Sequence, residues 1–123
     1  MSVLRPAEVV RLLLEGHAAG DRRRMAALLD PDVEATSVGG RGVHRGVDDV
    51  LAAFAPSEIG RRAELDADRI VAVGDEVSVV GRIRVRDRGT LTDSPAAWRF
   101  TVREGRVRRI VALEVASRRE QLA

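Results

Sequence analysis

The sequence predicts an α+β fold, with three helices gathered on one face of a curved antiparallel sheet. Two observations predict it. In the first half, apolar residues recur at i, i+3, i+4 and i+7, the helical period. From about Arg62 onward they alternate with polar residues, as a strand with one buried face requires.

The elements follow in order. Pro6 suits the first turn of a helix, where its missing N–H costs nothing. Val10, Leu13, Leu14 and His17 then form one stripe. Gly20 is expected to end that helix in a left-handed conformation, and Asp21 to cap the next. Met25, Leu28 and Leu29 supply the buried stripe of helix two, which "DPD" at 30–32 should stop because Pro31 disfavours helical geometry at Asp30. "VEATSV" reads as a short strand. "GGRGVHRG" reads as a glycine-rich turn, without the pattern of a phosphate cradle. Val47, Val50, Leu51 and Phe54 mark helix three, with Asp48 and Asp49 near its positive end and Pro56 closing it. "AELDADRIVAV" and "EVSVVGRIRVR" are strands joined at "GD", and "AAWRFTVR" and "RVRRIVALEVAS" are strands joined at "EG". "DRGTLTDSP" between them is expected to be a longer loop. No repeat or linker divides the chain, so residues 1–123 read as one domain.

Composition excludes several classes. With no cysteine there is no disulfide framework and no thiolate chemistry. No apolar run approaches the ~20 residues that span a bilayer, and the N-terminus lacks the build of a signal peptide. A cytoplasmic location is therefore expected. All 21 basic residues are arginine, but the net charge is only +2, so the pI near 10.7 reflects arginine chemistry more than a basic surface. The arginines alternate with Val and Ile, and one Trp and two Phe offer little for bases to stack on. Nucleic acid and membrane are not expected partners. Two histidines and a glutamate on separate elements lack metal-ligand spacing, so no metal and no cofactor are expected. Tyrosine and asparagine are absent, which removes phenol-based acid catalysis and Asn-held water.

Four blocks, "HAAGDRRRMAALLDPDVEA", "GVHRGVDDVLAAFA", "VAVGDEVSVVGRIRV" and "WRFTVREGRVRRIVALEV", occur in the order and spacing of a known superfamily. The chain resembles the nuclear transport factor 2-like fold, in its SnoaL-like and ketosteroid isomerase-like branch. The resemblance implies a cone-shaped curved sheet wrapping a pocket that the helices close. It also implies a homodimer through the outer sheet face. It does not choose a reaction, because the fold hosts isomerases, cyclases, dehydratases, epoxide hydrolases and binding proteins. The ketosteroid isomerase tyrosine position falls on Leu13, the base on Ser37 beside Thr36, and the second acid near Ala96. Those three groups are thus missing. The limonene-type epoxide hydrolase set, which needs Tyr and Asn, is incomplete. Of the scytalone-type dehydratase groups only histidines could be matched.

The same resemblance implies a bulge in the last strand and therefore which residues look inward. Val77, Val79, Gly81, Ile83 and Val85 do so on one strand, Trp98, Phe100 and Val102 on the next, and Val107, Ile110, Ala112 and Glu114 on the last. The outcome is an apolar cavity holding two ionisable groups. His17 and Glu114 are the candidate catalytic residues, able as a pair to serve as general base and acid near neutral pH. The expected substrate-binding residues are Leu13, Ser37, His44, Phe54, Val79, Ile83, Trp98, Phe100, Ile110 and Ala112. Bland readings stand beside these. His17 could be a satisfied core histidine, Glu114 a solvated rim residue or a partner of Arg108 or Arg11, and His44 a packing residue. The leading expectation is a protein that binds a hydrophobic small molecule and performs proton transfer on it. The alternative is a non-catalytic binding or dimerisation module. A cavity of about 300 Å³ or more would favour the first, and a packed cone the second. On the opposite face, Val111, Leu113 and Val115 form an apolar strip edged by Arg99 and Arg109, the mark of an interface.

Overall fold

The computed structural model describes residues 4–36, 42–53, 57–58 and 61–113. Helix α1 spans Pro6–Ala19 and α2 Arg22–Ala27. Proline stands in the first turn of α1, and Gly20 ends it at φ 67°, its N–H donating to the carbonyls of Gly16 and His17. The Asp21 carboxylate accepts the Arg24 N–H at 3.1 Å and caps α2. Val9, Val10, Leu13, Gly16 and His17 form the buried face of α1, while Leu14 is half-buried at its edge. Gly16 lets the two helices approach closely, since a Cβ there would lie 3.1 Å from Met25 Cγ.

Helix two is shorter than its apolar stripe suggests. Leu28 is its C-cap and Leu29 opens strand β1, Leu29–Thr36. The Val107 N–H donates to the Leu28 carbonyl at 2.8 Å, and this tertiary bond draws the chain into the sheet before Pro31 is reached. Pro31 sits within a strand because the register against the last strand slips between Leu29 and Glu34, leaving no ladder bond for its missing N–H to break. Strand β2, Val43–Arg45, pairs antiparallel with β1 where a plain turn was expected. Helix α3, Val47–Ala53, follows with Asp48 and Asp49 in its first turn.

Strands β3 (Ser57–Glu58), β4 (Arg61–Val73), β5 (Glu76–Asp87), β6 (Thr90–Arg103) and β7 (Arg106–Leu113) complete a seven-stranded sheet ordered β2-β1-β7-β6-β5-β4-β3. This is the expected α+β cone, with one refinement. The sheet is mixed, because β1 runs parallel to β7 while the other neighbours are antiparallel. The hairpins at "GD" and "EG" form as expected. "DRGTLTDSP" is not a loop: β5 and β6 pair without a break to Asp87 and Thr90, and Arg88 and Gly89 turn the chain at φ 49° and 86°. Pro95 lies within β6, in register with Arg82 of β5.

Two irregularities shape the cone. Opposite Thr101 and Val102, strand β7 carries an extra residue, Arg108, so that Val107 and Ile110 both face inward. Strand β4 carries an extra residue, Asp68, beside Gly81. A Cβ on Gly81 would collide with the Asp66 carbonyl oxygen, so only glycine allows this backbone approach. The core lies between the helices and the inner sheet face, with Val9, Val33, Val77, Val79, Phe100 and Val107 essentially inaccessible. Among the described residues no helix is long and apolar enough to cross a membrane.

Candidate functional site

Leu13, Leu14 and His17 of α1 look down on the sheet. Met25 of α2, Leu29 of β1, and Val50 and Leu51 of α3 close one side. Leu65 of β4, Trp98 and Phe100 of β6, and Ile110 of β7 form the floor. Together these eleven residues line a cavity of about 20 Å³. That is room for about one water, whose centre needs roughly 10–15 Å³. The cone is therefore packed by its own side chains and lacks the open space expected of a ready ligand site.

His17 stands out on this wall. It is 4% exposed and is the one buried polar or charged side chain among the described residues. It lies one helical turn after Leu13, which brings both to the same cavity.

The expected site residues divide into four groups. Leu13, His17, Trp98, Phe100 and Ile110 are brought together on the cavity wall. Val79 is fully buried, and Ile83 and Ala112 are partly buried against the same core, without lining the cavity. His44 is away from it: its ring Nδ1 is 3.7 Å from the Asp49 carboxylate, which also accepts the Arg45 N–H at 3.0 Å. Ser37, Phe54 and Glu114 lie outside the described residues, and with Glu114 the expected His17–Glu114 pair. Ala96, at the family's second acid position, is a buried apolar residue. Leu14, Met25, Leu29, Val50, Leu51 and Leu65 line the cavity without having been singled out. Periodicity marks several of them as core, but which core residues border empty space depends on packing between elements. Among the described residues no cluster of three or more His, Asp or Glu could hold a metal ion.

The outer sheet face carries a second candidate site. Directly paired residues share a face, so register places Val43, Val71, Val73, Val80 and Leu91 there, opposite Thr36, Ser78, Glu76, Ala97 and Arg86. These are five of the six large hydrophobic residues that are markedly exposed among the described residues, at 44% or more. Ion pairs border them, Arg45–Glu34 at 3.3 Å on one side and Arg82–Asp93 at 2.7 Å on the other. The Asp93 hydrogen bond, with its charge, raises the Arg82 guanidinium pKa still further. Across β5, β6 and β7, toward their hairpin ends, is an open recess of about 480 Å³ lined by Glu76, Ser78, Arg99, Thr101, Arg109 and Val111.

An α+β cone whose curved sheet wraps a core beneath three helices is a protein of the nuclear transport factor 2-like class. Within it, the chain belongs to the SnoaL-like domain family, whose model matches residues 10–110. Three solved structures show the similarity. A candidate polyketide cyclase from Xanthomonas campestris is 19% identical, covering 89% of this chain and 90% of that one, with TM-score 0.78. An epoxide hydrolase of M. tuberculosis, described as LEH-like, is 18% identical over 88% and 80%, with TM-score 0.77. TerC, crystallised with polyporic acid, is 21% identical over 96% of both chains, with TM-score 0.75. At these identities the likeness is one of fold. No curated protein matches the chain in sequence.

Proposed function

We propose that the chain binds a small hydrophobic molecule inside the cone and transfers a proton on it through His17. The observation that carries this reading is one ionisable side chain, buried, on an otherwise apolar wall of eleven residues. The His17 imidazole can take a proton from one position of a substrate and return it to another. This balances as an isomerisation and needs no water. With Glu114 as the second acid–base group, cyclisation or dehydration becomes accessible. Leu13, Trp98, Phe100 and Ile110 would be the walls. Structural neighbours that include a candidate polyketide cyclase and an LEH-like epoxide hydrolase support a reading of small-molecule chemistry.

The resting cavity is too small for such a molecule, so binding must displace side chains. Met25 is the most adaptable of them, with three rotatable bonds and no branching. Trp98 is the only tryptophan in the chain and lines the cavity, so its fluorescence reports on occupancy. Titration with polyporic acid, 2-naphthol and progesterone should give a saturable change in Trp98 emission with at least one probe. Leu51→Trp, read by calorimetry, should fill the space and weaken that binding about tenfold or more. His17→Gln should keep binding but abolish deuterium exchange into the bound probe from heavy water. If no probe saturates, the ligand reading fails.

The size of the cavity favours a second reading, a packed module that acts through its outer face as a homodimer. Five exposed hydrophobic residues on that face support the dimer in either reading. Sedimentation of the wild type and of Val80→Asp tests it: a dimer that becomes monomeric is expected, and a monomeric wild type removes the idea.

A further inference from the structure

The outer recess has a charge arrangement that fits a copy of itself. Arg109, Thr101 and Glu76 lie in one row across β7, β6 and β5, because Thr101 is paired in register with both. Base and acid thus flank Thr101 at equal strand spacings, roughly 4.8 Å each. The Thr101 hydroxyl donates to the Glu76 carboxylate at 3.1 Å and orients it. Among the described residues Arg109 is in no ion pair, and neither is Arg99 in the same recess, whereas Arg45, Arg82, Arg84, Arg103 and Arg108 each have a carboxylate within 4.0 Å. An unpaired guanidinium and an oriented carboxylate therefore share one recess in an exposed apolar face.

We propose that the occupant is a second copy of this chain, and that Glu76 of each copy pairs with Arg109 of the other. This rests on the dimer reading above and deepens it. In an isologous interface residue i meets j while j meets i. A two-fold axis lying in the interface along β6, through Thr101, carries Glu76 of one copy onto the position facing Arg109 of the other, and does so twice. The exposed valines around the recess supply the apolar contact, and the two ion pairs fix its register. Arg99 is on β6 itself, so the same axis brings it against its own copy. Arg99 and Arg109 should then have opposite effects, although both are exposed arginines in one recess.

Charge reversal tests this by sedimentation and native mass spectrometry, with Trp98 emission and far-UV circular dichroism verifying that each variant is folded. Glu76→Arg places like charges opposite Arg109, and Arg109→Glu places like charges opposite Glu76. Each alone should weaken self-association about tenfold or more. Mixed in equal amounts, the two variants should form a heterodimer, because both contacts become Arg–Glu again. Arg99→Ser should leave the dimer as tight or tighten it. A dimer indifferent to both reversals overturns the pairing and leaves the dimer reading intact. A wild type that remains monomeric at its highest soluble concentration overturns both. A monomer that takes up inorganic phosphate through Arg99 and Arg109 makes the recess a small-anion site and also overturns the pairing.

Discussion

The two faces of strands β5, β6 and β7 are built from the same alternating sequence and have opposite characters. Inside, Val77, Val79, Trp98, Phe100 and Val102 close together until about 20 Å³ remains. Outside, Glu76, Ser78, Arg99, Thr101 and Arg109 stand around an open recess of about 480 Å³. Burial has filled the inner face so completely that any ligand must push residues aside. Exposure leaves the outer face with unpaired charge and uncovered valine. The inner face thus sets stability and the outer face is available for association, and substitutions on the two should separate accordingly.

The largest effect is expected at Phe100, which is 2% exposed at the centre of the inner face. Phe100→Ala should lower unfolding free energy by about 3–5 kcal/mol in urea titration, with no change in the association of whatever remains folded. An outer-face change of similar size, such as Thr101→Ala, should stay within about 0.5 kcal/mol. Equal losses would mean that the outer face is as packed as the inner one.

Next in size is Gly81, where the sheet bends between the two regimes. Any side chain there meets the Asp66 carbonyl, which is backbone and cannot swing away. Gly81→Ala should therefore cost about 1–3 kcal/mol, as overpacking does. It should also open the bend, which would appear as increased solvent quenching of Trp98. A neutral result would show that the bulge at Asp68 alone makes the curve.

How much of this was legible in the sequence depends on the range of the forces involved. The strands β5 to β7 and their inward residues could be read because alternation is local and the hairpin turns are short. Helix α1 and its Gly20–Asp21 boundary could be read because caps are local too. The end of α2 could not, since Leu29 has the right period for the helix and is taken into β1 by a bond from Val107, far along the chain. "DRGTLTDSP" reads as a loop in the sequence, yet the unbroken ladder between β5 and β6 runs through it, Pro95 included. At the site, His17 was legible as a polar break in an apolar stripe. The size of the cavity was not, because it is what remains after Leu14, Met25, Leu51 and Leu65 have packed from four different elements.

A smaller effect is expected at Asp21, whose carboxylate caps α2 and so holds Met25 against the cavity. Asp21→Ala should cost about 1 kcal/mol, visible as a lowered thermal midpoint. If α2 frays, Met25 moves first, and probe binding at Trp98 should become easier while stability falls. A loss of both would place the cap's importance in the whole helical layer.

The smallest effect makes the sharpest comparison, because it separates two residues joined by one peptide bond. Val79 is fully buried on the inner face and Val80 is 50% exposed on the outer. Val79→Ala removes two buried methyl groups and should cost about 2 kcal/mol at any protein concentration. Val80→Ala removes the same atoms where water already reaches them, and in dilute solution should stay within about 0.5 kcal/mol. Concentration then decides what the outer face is for. Binding of a second copy stabilises the native state by mass action, so a dimeric wild type gains stability as its concentration rises and Val80→Ala gains less. The gap between wild type and Val80→Ala should therefore widen with concentration, while the gap to Val79→Ala should not. A Val80→Ala gap that stays flat would leave the outer valines as ordinary exposed residues and return the function wholly to the cavity around His17.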